Sequence, residues 1–152
     1  MRRQLNTNFN LIVMIDFNIT TYNSDKEYKG FQFYILNKGL NSGKPLENPC
    51  PNCFVCTCQS EEEKNQLHWL MFGLWQGKIF DQHLVGSVIP FIHIRHIKSI
   101  LYDILLKMGE KPDKFKNHIN KVHKIEQNRL NLLKQLELMK QLKRVLMLEL
   151  IS

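Results

Sequence analysis

"CPNCFVCTCQSEEE", residues 50–63, holds all four cysteines of a 152-residue chain and ends in three consecutive glutamates. Two geometries compete for it. Four thiolates around one zinc would hold their sulfurs about 3.8 Å apart, because Zn–S bonds of about 2.3 Å radiate tetrahedrally. In a strand, "CFVCTC" alternates direction at roughly 3.3 Å per residue, so Cys56 and Cys58 leave one face about 6.6 Å apart and Cys53 leaves the other. A four-cysteine site and a strand exclude each other, and the aromatic and branched content favours the strand. A thioredoxin-type pair would need its second cysteine on a following helix. The cysteines therefore read as reduced structural thiols, with Pro49 and Pro51 shaping the entry to a core strand. Zinc held by Cys50 and Cys53 with distant histidines (His68, His83, His93 or His96) is the alternative.

Outward from this strand the signals alternate. Ser60 and Glu63 have the spacing of a capping box, and Glu61 and Glu62 sit where the helix dipole favours negative charge. Leu67, Leu70, Met71 and Leu74 then repeat at helical spacing up to Gly77, with Trp69 and Trp75 at the edge of the stripe. Upstream, Phe9, Leu11, Val13, Ile15, Phe17 and Ile19 occupy every second position, a half-buried strand. "FQFYIL" at 31–36 is a second strand, and the turn residues of "NSDKEYKG" between the two predict a hairpin. Residues 37–52 gather Gly39, Gly43, Pro45, Pro49 and Pro51 into a long loop. Its Gly39-to-Lys44 stretch falls short of a nucleotide-phosphate loop: three residues separate the glycines where four are needed, and Pro45 stands where a magnesium-binding Ser or Thr belongs.

Downstream, "SVIPFIHI" at 87–94 reads as an edge or bulged strand interrupted by Pro90. Ile97, Ile100, Leu101, Ile104 and Leu105 mark a helix ending near Gly109. Pro112 suits a first helical turn, and from there one helix runs almost to Ser152. Phe115, Val122, Leu136 and Leu150 take one heptad position; Ile125, Leu132, Met139 and Leu146 take the other. His118, Arg129 and Lys143 interrupt the seam. A helix of roughly 38 residues spans nearly 60 Å, longer than a domain of this size can cover, so part of it must pack on something else. Ile119, Leu130, Leu133, Leu142 and Val145 broaden the apolar face, so a folded-back bundle competes with self-association through Val122, Ile125, Leu132, Leu136, Met139, Leu146 and Leu150.

The expected class is α+β: a small mixed or antiparallel sheet with packed helices, then a long C-terminal helix or helical hairpin. Residues 1–13 read as a disordered extension, 14–109 as the head domain and 110–152 as the amphipathic helix. The basic, apolar start lacks a cleavage site, and no segment approaches a membrane span, so a cytoplasmic protein without membrane partners is expected. Net charge is +7, and residues 102–152 carry 11 Lys and Arg against 6 Asp and Glu, leaving 10 against 8 before them. A localised basic surface attracts phosphate. The acids Asp16, Asp25, Glu47 and Asp81 are scattered, and the sequence assembles no nucleophile, base and orienting group, so catalysis is not expected.

The stretch "EEEKNQLHWLMFGLWQGKIFDQHLVGSVIPFIHIRHIKSI" resembles the later part of a target recognition domain from type I restriction specificity subunits. The resemblance rests on Gly86, Ser87, Ile89, Pro90, Ile97, Lys98 and Ile100. The tail "LLKQLELMKQLKRVLMLEL" resembles the closing helix of those subunits, and the whole chain is similar to small uncharacterised proteins carried on mobile elements of Bacteroidetes-type bacteria. The resemblance implies a non-enzymatic, dimeric module: a head that binds duplex DNA and a helix that pairs two heads. Loop cations would contact phosphates and polar side chains would read major-groove edges. The loop candidates are Lys38, Asn41, Lys44, Lys78, Gln82, Arg95 and Lys98. No cofactor is expected, with zinc the alternative. The alternatives for function are a protein-interaction accessory of a mobile element and a small zinc protein.

Overall fold

The computed structural model describes residues 15–109 and 111–151. Four strands, β1 (Phe17–Thr21), β2 (Phe31–Leu36), β3 (Pro45–Leu46) and β4 (Cys53–Cys58), form an antiparallel sheet in the order β1-β4-β2-β3. β4 is apolar in both directions: Phe54, Cys56 and Cys58 join the main core, while Cys53 and Val55 join a smaller cluster on the opposite face. A strand that must be covered on both faces belongs at the centre. β1 keeps Asn18 and Thr20 exposed and takes the edge.

The expected β1–β2 hairpin is therefore not formed, because β4 lies between the two strands and pairs with both. β1 ends opposite Phe54 and β2 begins opposite Cys58, so residues 22–30 must cross the length of the sheet. They cross its outer face and give that face its cover. Tyr22 stacks on Tyr28 at 5.8 Å and meets Tyr34 edge-on at 5.4 Å, over Val55 and Cys53. The residues that spelled a turn make a crossover, since turn chemistry fixes local bends and not the partner of the next strand.

Three helices cover the inner face: α1 (Glu61–Gln76), α2 (Ile94–Gly109) and α3 (Pro112–Leu150). The capping box is present, with the Glu63 N–H donating to Ser60 Oγ at 3.2 Å and the Ser60 N–H to Glu63 Oε2 at 3.1 Å. Leu67, Leu70 and Met71 of α1 and Ile97 and Leu101 of α2 are buried against the sheet. Phe17 stacks on Tyr102 at 5.1 Å, which ties α2 to the β1 edge. Gly77 caps α1 with an ordinary φ of −75°, and the left-handed turn falls instead on Lys78 at φ 58°.

The strand expected at 87–94 is also corrected. Phe91 makes only isolated bridges, to Val85 and Lys38, and Ile94 already opens α2. Pro90 has no N–H for a ladder. The chain instead closes a tight loop on reciprocal Val85–Phe91 bonds of 2.9 and 2.8 Å.

α1 runs from the end where β4 finishes to the end where β2 finishes, α2 returns, and α3 runs back along α1. Lys116 pairs with Glu62 at 2.9 Å, Phe115 and Ile119 enter the core, and His123 stacks on Trp69 at 4.4 Å. The compact body thus extends past residue 109 to include the first turns of α3. Val122, expected in the self-association seam, packs beside Gly73 of α1 and is part-buried within its own chain. The first half of the sequence's alternating strand and residues 1–13 lie outside the described residues.

At Gly43 the fold tolerates no side chain. Its φ is +92°, and a Cβ would stand 2.4 Å from the ring of buried Phe80. Gly43→Ala is expected to destabilise the protein by about 2–4 kcal/mol through backbone strain and overpacking, measured as a lowered urea midpoint with an unchanged slope.

Candidate nucleic-acid interface

Loops distant in sequence meet at the end of the sheet where β2 finishes. The loop after β2 is held by Gly43 N–H to Leu36 O at 2.7 Å and Leu36 N–H to Lys44 O at 2.9 Å. It docks on the loop before α2 through Gly39 N–H to Pro90 O at 2.7 Å and Ile92 N–H to Asn37 O at 3.0 Å. Phe80, inserted beneath Gly43, fastens the segment that follows α1 to the same place.

This brings most of the sequence candidates together. Lys38, Asn41, Lys78, Gln82 and Arg95 are exposed at this end. Lys44 is half-buried with its ammonium 5.1 Å from the centre of the Trp75 ring, a cation–π contact that fixes one cation without neutralising it. Asp81 and Glu126 are the acids beside them, and Glu126 is already engaged: Arg129 donates to it twice, at 2.6 and 2.8 Å. That pair, aided by Lys44, holds the Glu126 carboxyl below its ordinary range. Lys98 is not part of the group. It is half-buried on α2, where its charge reaches Cys56 in the core.

The sequence offered His83, His93 and His96 only as distant alternative ligands for Cys50 and Cys53, and the fold gathers them with one another beside Arg95. His83 stacks on His96 at 5.3 Å, and His93 lies 6.0 Å from His96. Desolvation, then Arg95 and the other two rings, hold His96 below the usual imidazole range. His96 is thereby held toward its neutral form, beside the lasting charge of Arg95. The signal available in the sequence was the three-residue spacing of His93 and His96; His83 reaches them only through the loop fold.

The alternative zinc set is not assembled. Cys53 donates its thiol to Cys50 O at 2.9 Å on the outer face, whereas His68 lies on the helix side against Phe33. The sheet separates them. Among the described residues no group of three or more His, Cys, Asp or Glu is placed to hold a metal ion. Burial pushes the Cys53 thiol up to about 11. Cys56 is raised as well, first by its hydrogen bond to Cys58 and then by burial.

The second candidate surface is the distal part of α3. Beyond the body the helix continues for more than 20 residues, and Ile125, Leu132, Leu136, Met139, Leu146 and Leu150 of the expected seam are all exposed, as are Leu138, Leu142 and Val145. A helix with this much apolar surface is normally buried in an assembly. The arm leaves from the basic end, since α1 stops there and Glu126 of α3 lies within reach of Lys44. Among the described residues no helix is long and apolar enough to cross a membrane.

Residues 19–149 match the model of a protein family whose function is unknown. No curated protein and no solved structure matches the chain.

A thiol-reactive maleimide applied to the native protein at neutral pH is expected to modify Cys50 alone, the one cysteine that is not buried. Cys53, Cys56 and Cys58 should react only after unfolding, and intact-mass measurement separates the two outcomes. Rapid labelling of all four in native buffer would contradict the buried central strand.

Proposed function

The chain belongs to DUF6943, a family of unknown function, and we propose that it is a non-enzymatic duplex-DNA-binding module that self-associates through α3. One observation carries the reading: Lys38, Lys44, Lys78 and Arg95, from three separate segments, share the end of the body from which the apolar arm emerges. Cations gathered in this way release counterions from phosphates when DNA binds. Asn41 and Gln82 stand beside them as groups able to hydrogen-bond base edges. The partial resemblance to target recognition domains supports the same reading.

The arm's own charges favour one arrangement. Parallel arms in register would set Lys143 against Lys143 and Arg129 against Arg129 at seam positions. An antiparallel overlap sets Lys143 opposite Leu132 and Arg129 opposite Leu146 of the second copy, with Leu136 opposite Met139. Each cation can then lay its methylene stem on an aliphatic neighbour and keep its head in water. Ile125 opposite Leu150 completes the overlap. The two basic ends then face each other across a rod of about 38 Å, at about 1.5 Å per residue, close to one turn of duplex.

Sedimentation equilibrium of the full chain is expected to give a dimer, and Leu132→Glu with Leu136→Glu a monomer that retains its circular-dichroism spectrum. In mobility-shift titrations at two ionic strengths, the wild type should bind duplex with steep salt dependence. Reversing Lys38, Lys44, Lys78 and Arg95 to Glu should abolish that binding. A monomeric wild type would remove the self-association, and salt-insensitive or absent binding would remove the DNA reading. The alternative, a partner helix from another protein in a larger assembly, would then be the better account of the arm.

A further inference from the structure

The basic end also carries apolar side chains that the electrostatic reading does not use. Val88 is 90% exposed, Leu40 83% and Ile89 61%, all at loop tips. Aliphatic tips this bare cost solubility and contribute nothing to the core. The tips are neighbours: the Gly39 N–H, one residue before Leu40, donates to Pro90 O, one residue after Ile89, at 2.7 Å.

Both tips are also rigid. Ser42 donates from its hydroxyl to Gly39 O at 2.7 Å, and the Lys44 N–H reaches Asn41 O at 3.0 Å, closing the loop under Leu40. The other loop is closed by the Val85–Phe91 pair and by Gly86, where φ is +96° and a Cβ would meet Ile89 O at 2.7 Å. The result is a stiff, double-tipped aliphatic projection with Lys38, Lys44, Lys78 and Arg95 around its base.

We propose that Leu40, Val88 and Ile89 form a wedge that enters the DNA minor groove and partly unstacks a base step, while the surrounding cations hold the flanking phosphates. The proposal rests on the duplex-binding reading and changes its groove, from the major groove that the family resemblance implies to the minor. Leucine, isoleucine and proline are the side chains that minor-groove proteins insert between base steps, and polar groups beside them read the shallow edges. Here Asn41 follows Leu40, and Ser87 lies two residues before Ile89 in the loop that Gly39 joins through Pro90. A membrane surface fits less well. The tips bear no Trp or Tyr of the interfacial kind, and the arm leaves from the same end, carrying Lys134, Glu137, Lys140, Lys143 and Arg144, and so obstructs a flat bilayer. A duplex is a rod and can lie beside the arm.

The test uses the full chain and an A·T-rich duplex carrying a fluorescent adenine analogue, with donor and acceptor dyes at its ends. Binding of the wild type should raise the analogue's fluorescence through unstacking and shorten the end-to-end distance through bending. The combined variant Leu40→Ser, Val88→Ser, Ile89→Ser should lose both signals and bind roughly tenfold more weakly, while its salt dependence persists. Salt-dependent binding by the wild type with no unstacking or bending, or with signals the variant retains, overturns the wedge and leaves the duplex-binding reading intact. No DNA binding by the wild type overturns both. Wild-type binding to phosphatidylserine vesicles that the variant lacks, without DNA unstacking, assigns the tips to a lipid surface and equally overturns the wedge.

Discussion

A strand with no polar face has to be covered twice, and β4 imposes that requirement on everything around it. Phe54, Cys56 and Cys58 need helices on one side, and Cys53 and Val55 need cover on the other. The first demand is met by α1 and α2. The second is met without a second layer of regular structure, by the crossing segment and its tyrosines. At roughly 25 cal/mol per Å² of apolar area removed from water, burial on both sides of one strand makes it the best-anchored element of the sheet. Of the strands that border it, β2 also buries both faces, with Phe33 and Ile35 in the main core and Tyr34 in the outer cluster, while β1 at the edge keeps Asn18 and Thr20 exposed.

The position of the candidate interface follows from that centre. Because β3 turns straight back along β2, the loop between those two strands is confined to the end of the sheet where β2 finishes, and α1 delivers its own exit loop to the same end. Phe80 beneath Gly43 and the bond from Gly39 to Pro90 join the two loops. The charge asymmetry has the same origin. Ser60 places its three following glutamates at the opposite end, where the helix dipole favours them, so the lysines of the loops are left with few acids nearby.

Much of the fold was legible because local chemistry determined it. The capping box placed the start of α1, the alternation in "CFVCTC" divided its cysteines correctly between two faces, and Pro112 opened α3. Two readings failed for one reason: local pattern does not report partners. The turn residues between β1 and β2 look the same whether the next strand pairs with the first or is separated from it by a third. The branched run around Pro90 has strand propensity, yet no free strand edge receives it, so it closes on itself as a loop. Of the interface, the cations could be named individually, but Lys98 could not be told from Lys38. One lies half-buried beside the sheet and the other at an exposed loop, and that difference belongs to packing. Of the histidine group only the spacing of His93 and His96 was visible, and the exposed tips at Leu40 and Val88 were not, since a lone aliphatic residue in a loop has no periodicity to mark it.

What the sequence determined by itself was three of the four strands and the three helices, the class, the doubly apolar strand and the excessive length of the last helix. These depend on nearest-neighbour geometry, on caps and on the period at which apolar side chains recur. Tertiary structure alone decided the order β1-β4-β2-β3, the point where α3 leaves the body, and the meeting of cations with bare aliphatic tips at one end. Those outcomes depend on which faces must be shielded from water at the same time, a condition on the whole chain that no window of residues contains.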